Sequence, residues 1–227
     1  MSTERLLHRA RVHAALGDPA RLAIVDRLFL SDRSPGELAR DLSAPTNLIA
    51  HHLNVLVEAG VVERSRSEGD RRRTYVRLTE AGLQARGRGD AEVGPVPRVV
   101  FVCTHNSARS QLAAATWADR SALPATSAGT RPADHVHPRA VATARRHGLR
   151  LVDGTRHVEE TVRAGDLLVA VCDNAHEALA AAEHLHWSIP DPVRVGTDEA
   201  FEHALEVIDD RVLRLVAAVD PTEGRSA

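Results

Sequence analysis

The sequence predicts two domains of different class: an α+β unit of helices closed by a β-hairpin, then an α/β unit on a parallel sheet. Three observations predict this. Up to residue 88 the pattern is helical and then turns to two short alternating segments, whereas from residue 98 strand-like and helix-like stretches alternate. Between them, RGRGDAEVGPVP crowds Gly and Pro and interrupts apolar periodicity, which assigns residues 1–88 and 98–227 to domains and 89–97 to a linker. The charge also changes sign there. Residues 1–90 hold 15 arginines against 12 acidic residues, a net of +3, and the remainder 14 against 19, a net of −5. A basic half joined to an acidic half implies that only the first meets a polyanion.

In the first domain, Leu6, Leu7, Val12 and Leu16 form an apolar stripe on a helix that stops near Gly17. Asp18-Pro19 opens a second helix, with Asp18 as N-cap and Pro19 at the first helical position. Ser34-Pro35-Gly36-Glu37 starts a short third helix, ELARDL. The fourth begins near Pro45, runs through TNLIAHHLNVLVEAG with Leu48, Leu53 and Leu56 as its packing face, and is closed by Gly60. VVERSRS and RRRTYVRLT alternate around a turn at Glu68-Gly69-Asp70, and a last helix runs from Glu80 to about Arg88. This is the order of a winged helix-turn-helix, whose recognition helix enters the major groove of double-stranded DNA while the hairpin reaches the backbone. Thr46, Asn47, His51 and Asn54 are the groove-facing candidates. Arg64, Arg66, Arg71, Arg72 and Arg73, with Arg77, are the phosphate contacts, so binding should weaken steeply with salt. His51-His52 reads as one DNA-facing and one packing residue, not a metal site.

In the second domain, PRVVFVC is a buried strand, SARSQLAAATWADR a helix, ATSAGT a strand and HPRAVATARRHGL a helix. DLLVAVCD is a second buried strand and AHEALAAAEHL a helix. A long helix over about 198–219 carries Phe201, Leu205, Ile208, Val212 and Leu215 on one face. Such alternation implies a parallel sheet with helices on both sides.

Chemistry concentrates in VVFVCTHNSARSQLA. Cys103 ends a strand and Arg109 follows six residues later at a helix start. A loop of Thr104, His105, Asn106, Ser107 and Ala108 can curl so that backbone N–H groups and the helix N-terminus face a tetrahedral oxyanion. The same dipoles favour an anionic sulfur on the nucleophile. Arg109 can clamp two oxygens, Ser110 can donate to the sulfur, and Asn106 can fix the loop. Asp191-Pro192 supplies a candidate acid for the leaving oxygen. Cys103 and Cys172 are the only cysteines, too few for a disulfide framework, and read as individual thiols. Trp187 and the pairs His135/His137 and His184/His186 read as packing and surface residues, with no metal implied. No apolar run approaches the roughly 18 residues of a membrane span, and MSTERLLHRA lacks a signal-peptide core, so the expected location is cytoplasmic, with no membrane partner.

Through ALGDPARLAIVDRL, ELARDL, LIAHHLNVLVEAGVVERSR and GDRRRTYVRLTEAG, residues 5–88 resemble the ArsR-type family of winged-helix repressors. The resemblance implies a homodimer formed through the first and last helices. One departure stands out: ELARDL lacks the cysteines with which many members sense arsenite or metals. From about Arg98 to Val219, the pieces VCTHNSARSQ, TSAGT, LLVAVCD and HWSIPDP resemble the low-molecular-weight protein tyrosine phosphatase superfamily. This implies Cys103 as nucleophile, Arg109 as oxyanion binder and Asp191 as general acid. Phosphatase members usually place an aromatic after the Asp-Pro, where this chain has Val193. The Ser-Gln after Arg109, the His-Trp and Cys172 are similar to the arsenate reductase branch, in which a second cysteine attacks a thiol–arsenate adduct and releases arsenite. A third cysteine is missing from AHEALAAA. The resemblance thus implies either a Cys103–Cys172 disulfide or completion by a small thiol, with no bound cofactor and an external thioredoxin, glutaredoxin or mycothiol system as redox partner. The expectation is an arsenic-responsive DNA-binding regulator fused to an arsenate reductase-type domain. Two alternatives stay open: a repressor whose second domain only binds an oxyanion or arsenite, and a phosphatase joined to a DNA-binding module.

Overall fold

The computed structural model describes residues 3–87, 91, 93–180 and 182–219. Linker positions 89, 90 and 92, and Arg88 at the end of the expected last helix of the first domain, lie outside the described residues. The chain divides into two compact units, Met1–Ala91 and Glu92–Ala227. No helix among the described residues is long and apolar enough to cross a membrane.

The first unit runs α1 (Thr3–Leu16), α2 (Pro19–Leu28), α3 (Pro35–Asp41), α4 (Thr46–Glu58), β1 (Val62–Arg66), β2 (Thr74–Leu78) and α5 (Glu80–Arg86). Caps written in the sequence set its helix ends. Asp18 Oδ1 accepts the N–H groups of Ala20 and Arg21 at 2.9 and 3.0 Å. Ser34 and Glu37 form a reciprocal capping box on α3. Ser43, at φ +49°, turns the chain between α3 and α4, and Gly60, at φ +72°, ends the following helix. The strands pair antiparallel from Val62↔Leu78 to Arg66↔Thr74, so residues 67–73 form the tip, longer than the three-residue turn expected.

Ile24, Val25, Leu28, Leu38, Ile49, Leu53, Leu56, Val61 and Val76 make the core of this unit. Two expectations are corrected. Leu48 is 43% exposed, and Ile49 takes the inward place, because the buried row on α4 is Ile49, His52, Leu53 and Leu56. Leu48 lies one residue, about 100° of rotation, from that row. On α1, Leu6 and Leu7 are 52% and 54% exposed, while Val12 and Ala15 are buried.

The second unit runs β3 (Val99–Cys103), α6 (Arg109–Arg120), β4 (Ala125–Gly129), α7 (Pro138–Arg146), α8 (Val158–Thr161) and β5 (Leu167–Ala170). It continues with α9 (Asp173–Ala178), β6 (Leu185–His186), α10 (Pro192–Val195) and α11 (Asp198–Val219). The strand order is β4-β3-β5-β6, and every pair is parallel. All five residues of β3 are buried, and successive side chains point to opposite faces, so both faces of the sheet are covered. Phe101 packs between Trp117 of α6 and Trp187, at ring centroid distances of 6.0 and 5.7 Å. Phe201, Leu205, Ile208, Val212 and Leu215 of α11 are buried.

The stretch AHEALAAAEHL departs from its expected helix. α9 starts earlier, at Asp173, and ends at Ala178, and Leu185–His186 pairs with Val169–Ala170 as an edge strand. Pairing to β5 outweighs the alanine-rich helical preference there. Because β4 and β5 lie on opposite sides of β3, the order reverses at β3, and its carboxyl end opens the crevice where ligands bind in such sheets. Cys103 stands at that end.

Candidate functional site

Cys103 is the last residue of β3 and Arg109 the first of α6, so Thr104 to Ala108 carry the chain from strand to helix. Four carbonyls of this turn are tied outward. The N–H groups of Thr130, Arg131, Ala133 and His137 donate to Cys103, Thr104, His105 and Ser107 oxygens at 3.1, 2.8, 3.0 and 2.8 Å. A trans peptide sets its N–H opposite its C=O, so the N–H groups of Thr104, His105, Asn106 and Ala108 turn inward. The Asn106 N–H accordingly lies 3.2 Å from Cys103 Sγ, and Ser110 Oγ lies 3.1 Å from the same sulfur. α6 has no side-chain cap, which leaves its first N–H groups to an anion.

Asn106 adopts φ +50°, a left-handed conformation asparagine tolerates better than most residues. Its Nδ2 donates to Ser110 Oγ and Ser127 Oγ, both at 2.9 Å, and its Oδ1 accepts the Arg156 N–H at 2.9 Å. Ser127 and Arg156 escaped the sequence reading, since neither lies in the loop motif. The serine of TSAGT, inward on the neighbouring strand, was the available signal. Gly129, in the same strand, has no room for a side chain: an added Cβ would stand 2.9 Å from the Thr104 oxygen and 3.0 Å from the Asn106 nitrogen. Gly129→Ala is therefore expected to displace the loop and lower oxyanion affinity at least tenfold while the unit stays folded. Calorimetric titration with phosphate checks this, and unchanged affinity would refute it.

Arg109 is 4% exposed. Its Nη1 donates to the Ile189 oxygen at 2.8 Å, and its Nη2 lies 3.3 Å from Asp191 Oδ2. Asp191 also accepts the Val193 N–H at 3.1 Å and so caps α10. Cys103, His105, Ser107, Ala108, Arg109, Asp191 and Val193 line one small pocket. A thiol, a guanidinium and a carboxylate thus converge where a tetrahedral anion can sit, and no Phe, Tyr or Trp ring stands in that lining.

Cys172 is fully buried at the N-cap of α9. Its Sγ lies 3.4 Å from the Ala175 nitrogen and 3.5 Å from Thr104 Oγ1, so it rests against the residue that follows Cys103 and outside the pocket lining. Burial pushes the Cys172 thiol pKa up, the Arg109 charge opposes this in part, and Cys103 adds to it.

On the first unit, Thr46, Asn47, His51 and Asn54 are all exposed on α4, and His52 is buried. Arg64, Arg66, Arg71, Arg72 and Arg73 are exposed on the hairpin and its tip. Arg64 donates to Asn54 Oδ1 at 2.9 Å, which fixes the hairpin against the α4 face. Arg72 pairs with Asp70 at 3.0 Å, and Arg77, half-buried, pairs with Glu63.

Comparison with known proteins matches both units. A model for the low molecular weight phosphotyrosine protein phosphatase family covers residues 98–224, and one for a helix-turn-helix domain covers residues 16–65. An arsenate reductase of Halalkalibacterium halodurans is 32% identical over 111 residues, 44% of this chain and 78% of that protein. An uncharacterized HTH-type transcriptional regulator of Mycobacterium bovis is 34% identical over 88 residues, 36% of this chain, and the chain spans 56% of that regulator's length. Among solved structures, the tyrosine phosphatase Wzb of Escherichia coli K30 in complex with sulphate aligns with a TM-score of 0.50 and 22% identity, over 55% of this chain and 99% of its own, a likeness of fold.

Proposed function

Because the chain belongs, through residues 98–224, to the low molecular weight phosphotyrosine protein phosphatase family, we propose that this half reduces arsenate to arsenite and that the helix-turn-helix half regulates transcription in response to arsenic. The observation that carries the reductase reading is a second thiol one loop residue from the first: Cys172 lies against Thr104. A phosphatase of this kind needs only Cys103. Val193 at the pocket rim, in place of a ring that would stack on phosphotyrosine, supports the same reading, as does the similarity to the arsenate reductase of Halalkalibacterium halodurans.

In this reading the Cys103 thiolate attacks arsenic, Asp191 gives its proton to the departing oxygen, and water leaves a thiol–arsenate adduct. Inward N–H groups and Arg109 hold the oxyanion charge. Cys172 sulfur then attacks Cys103 sulfur, the S–As bond breaks, and its electron pair stays on arsenic. Two thiols become one disulfide as As(V) becomes As(III), so electrons balance. An external thioredoxin, glutaredoxin or mycothiol system returns the disulfide to thiols. The DNA-binding half acts as a homodimer on an operator, which the exposure of Leu6 and Leu7 on α1 supports.

The test is arsenite production by the purified chain with each of the three reductants, beside hydrolysis of an aryl phosphate. Turnover with one reductant upholds the reading, and efficient phosphate ester hydrolysis without arsenate reduction overturns it in favour of a phosphatase. The burial of Cys172 favours a second reading, a repressor whose loop only senses an oxyanion, and operator release by arsenate without turnover would select it. DNA binding is tested on duplexes selected from a random pool. Affinity is expected to fall steeply with salt, and replacing Arg71, Arg72 and Arg73 with alanine to flatten that slope by about one for each phosphate no longer neutralised.

A further inference from the structure

Four titratable side chains outside the pocket form a connected cluster: Asp173, His176, His184 and His186. Asp173 Oδ1 lies 2.9 Å from His186 Nε2, and both side chains are essentially excluded from solvent, at 2% and 0% exposure. A carboxylate accepts, so the proton of this bond belongs to His186 Nε2. The ring of His176 stacks on that of His186 at 4.0 Å and 8°. His176 Nδ1 lies 2.7 Å from His184 Nε2, and His184 Nδ1 lies 2.7 Å from the Ala182 oxygen. A carbonyl only accepts, so His184 carries a proton on Nδ1. No group of three potential ligands among the described residues is arranged to hold a metal ion.

All four residues come from two short pieces of chain, 173–176 and 184–186, and each piece leads to a part of the site. Asp173 directly follows Cys172 and is the first residue of α9. His186 ends β6 and leads into the segment in which Ile189 accepts from Arg109 and Asp191 faces the guanidinium. β6 is only two residues long, and α9 only six. Elements this short supply little stability of their own, so a buried charge-assisted hydrogen bond between them weighs heavily.

We propose that His186 is a positioning residue: through Asp173 it locks the start of α9, and with it Cys172, to the segment that presents Asp191. In the locked state the Cys172 sulfur is held at the α9 N-cap beside Thr104, and opening of the lock frees the thiol and loosens the Asp191 segment together. Cys172 thereby stays covered while the lock is closed. The inference gives regulation to the second thiol of the proposed reductase and to that extent rests on it. Its test records thiol exposure in the resting protein, so either can fail alone.

The experiment uses the full chain carrying Cys103→Ser, in which Cys172 is the sole cysteine. Labelling of Cys172 by a thiol reagent is followed in time, with amide hydrogen exchange read in parallel by mass spectrometry. His186→Leu removes the Nε2 donor at similar volume, and His186→Gln returns a donor near the same position. Labelling is expected to accelerate about tenfold or more in the Leu variant and to stay within about threefold of the parent in the Gln variant. Faster exchange should be confined to residues 171–179 and 185–191, with β3 and α6 unchanged. Should the Leu variant fail to fold, Asp173→Asn is expected to show the same local pattern at smaller amplitude. Unchanged labelling in the folded His186→Leu or Asp173→Asn variant, or acceleration spread equally over β3 and α6, would overturn the proposal.

Discussion

Serine at position 103 is expected to abolish arsenate reduction, with a loss on the order of a thousandfold or more in kcat/KM, while oxyanion binding survives. The two outcomes separate because the pocket is built from different parts. The inward N–H groups are set by carbonyls tied to Thr130, Arg131, Ala133 and His137, and the guanidinium of Arg109 is set by Ile189 and Asp191. None of those bonds uses the Cys103 sulfur. What the substitution removes is the proposed nucleophile: a serine hydroxyl ionises far above a thiol, and no histidine stands in the pocket lining near it except the exposed His105. Arsenite formation and phosphate titration on the same preparation check both halves of the statement. Retained turnover in Cys103→Ser would remove Cys103 from the chemistry, and lost phosphate binding would mean that the sulfur also shapes the loop.

Much of the fold was legible because its signals are local. Asp18-Pro19, the Ser34/Glu37 box and Gly60 are caps, and a cap acts within one turn of the residues that write it. The continuous apolar runs VVFVC and LLVA read as buried strands because both of their faces are covered. What failed to read depends on partners far along the chain. Leu185–His186 becomes a strand only because β5 offers an unpaired edge, and the two-residue segment has no periodicity of its own. Leu48 and Ile49 are adjacent apolar residues, and only the direction of the core decides which is buried.

The site divides the same way. The loop from Cys103 to Ser110 is a contiguous motif, so its members could be named from spacing alone. Ser127, Arg156 and the glycine at 129 serve that loop from other elements, and spacing does not announce them. His186 shows the limit most plainly. In sequence it is one of several histidines and reads only as a packing or surface residue, and the structure buries it fully against Asp173. A buried histidine beside a buried carboxylate is a tertiary fact, and nothing in HLHWS encodes the partner.

Replacing Cys172 with serine is expected to end multiple turnover of arsenate, by at least about a hundredfold, without lowering hydrolysis of an aryl phosphate more than about twofold. The asymmetry follows from position. Cys172 touches Thr104 and the Ala175 N–H but does not line the pocket, so a smaller hydroxyl there leaves the oxyanion site as it was. Attack on the adduct, by contrast, needs a thiolate, and burial holds Cys172 in its neutral form at ordinary pH. The sign of the pH dependence follows. Raising pH increases the thiolate fraction of a thiol whose pKa is elevated, so the resolving step should quicken as pH rises above neutrality, while adduct formation at Cys103 need not. Rapid-quench measurement of a single turnover, with disulfide and arsenite quantified from pH 7 upward, reads the two steps separately. Undiminished turnover in Cys172→Ser with mycothiol or glutaredoxin would assign the second attack to an external thiol and leave Cys172 a core residue. A resolving rate that falls with rising pH would contradict attack by a buried thiol.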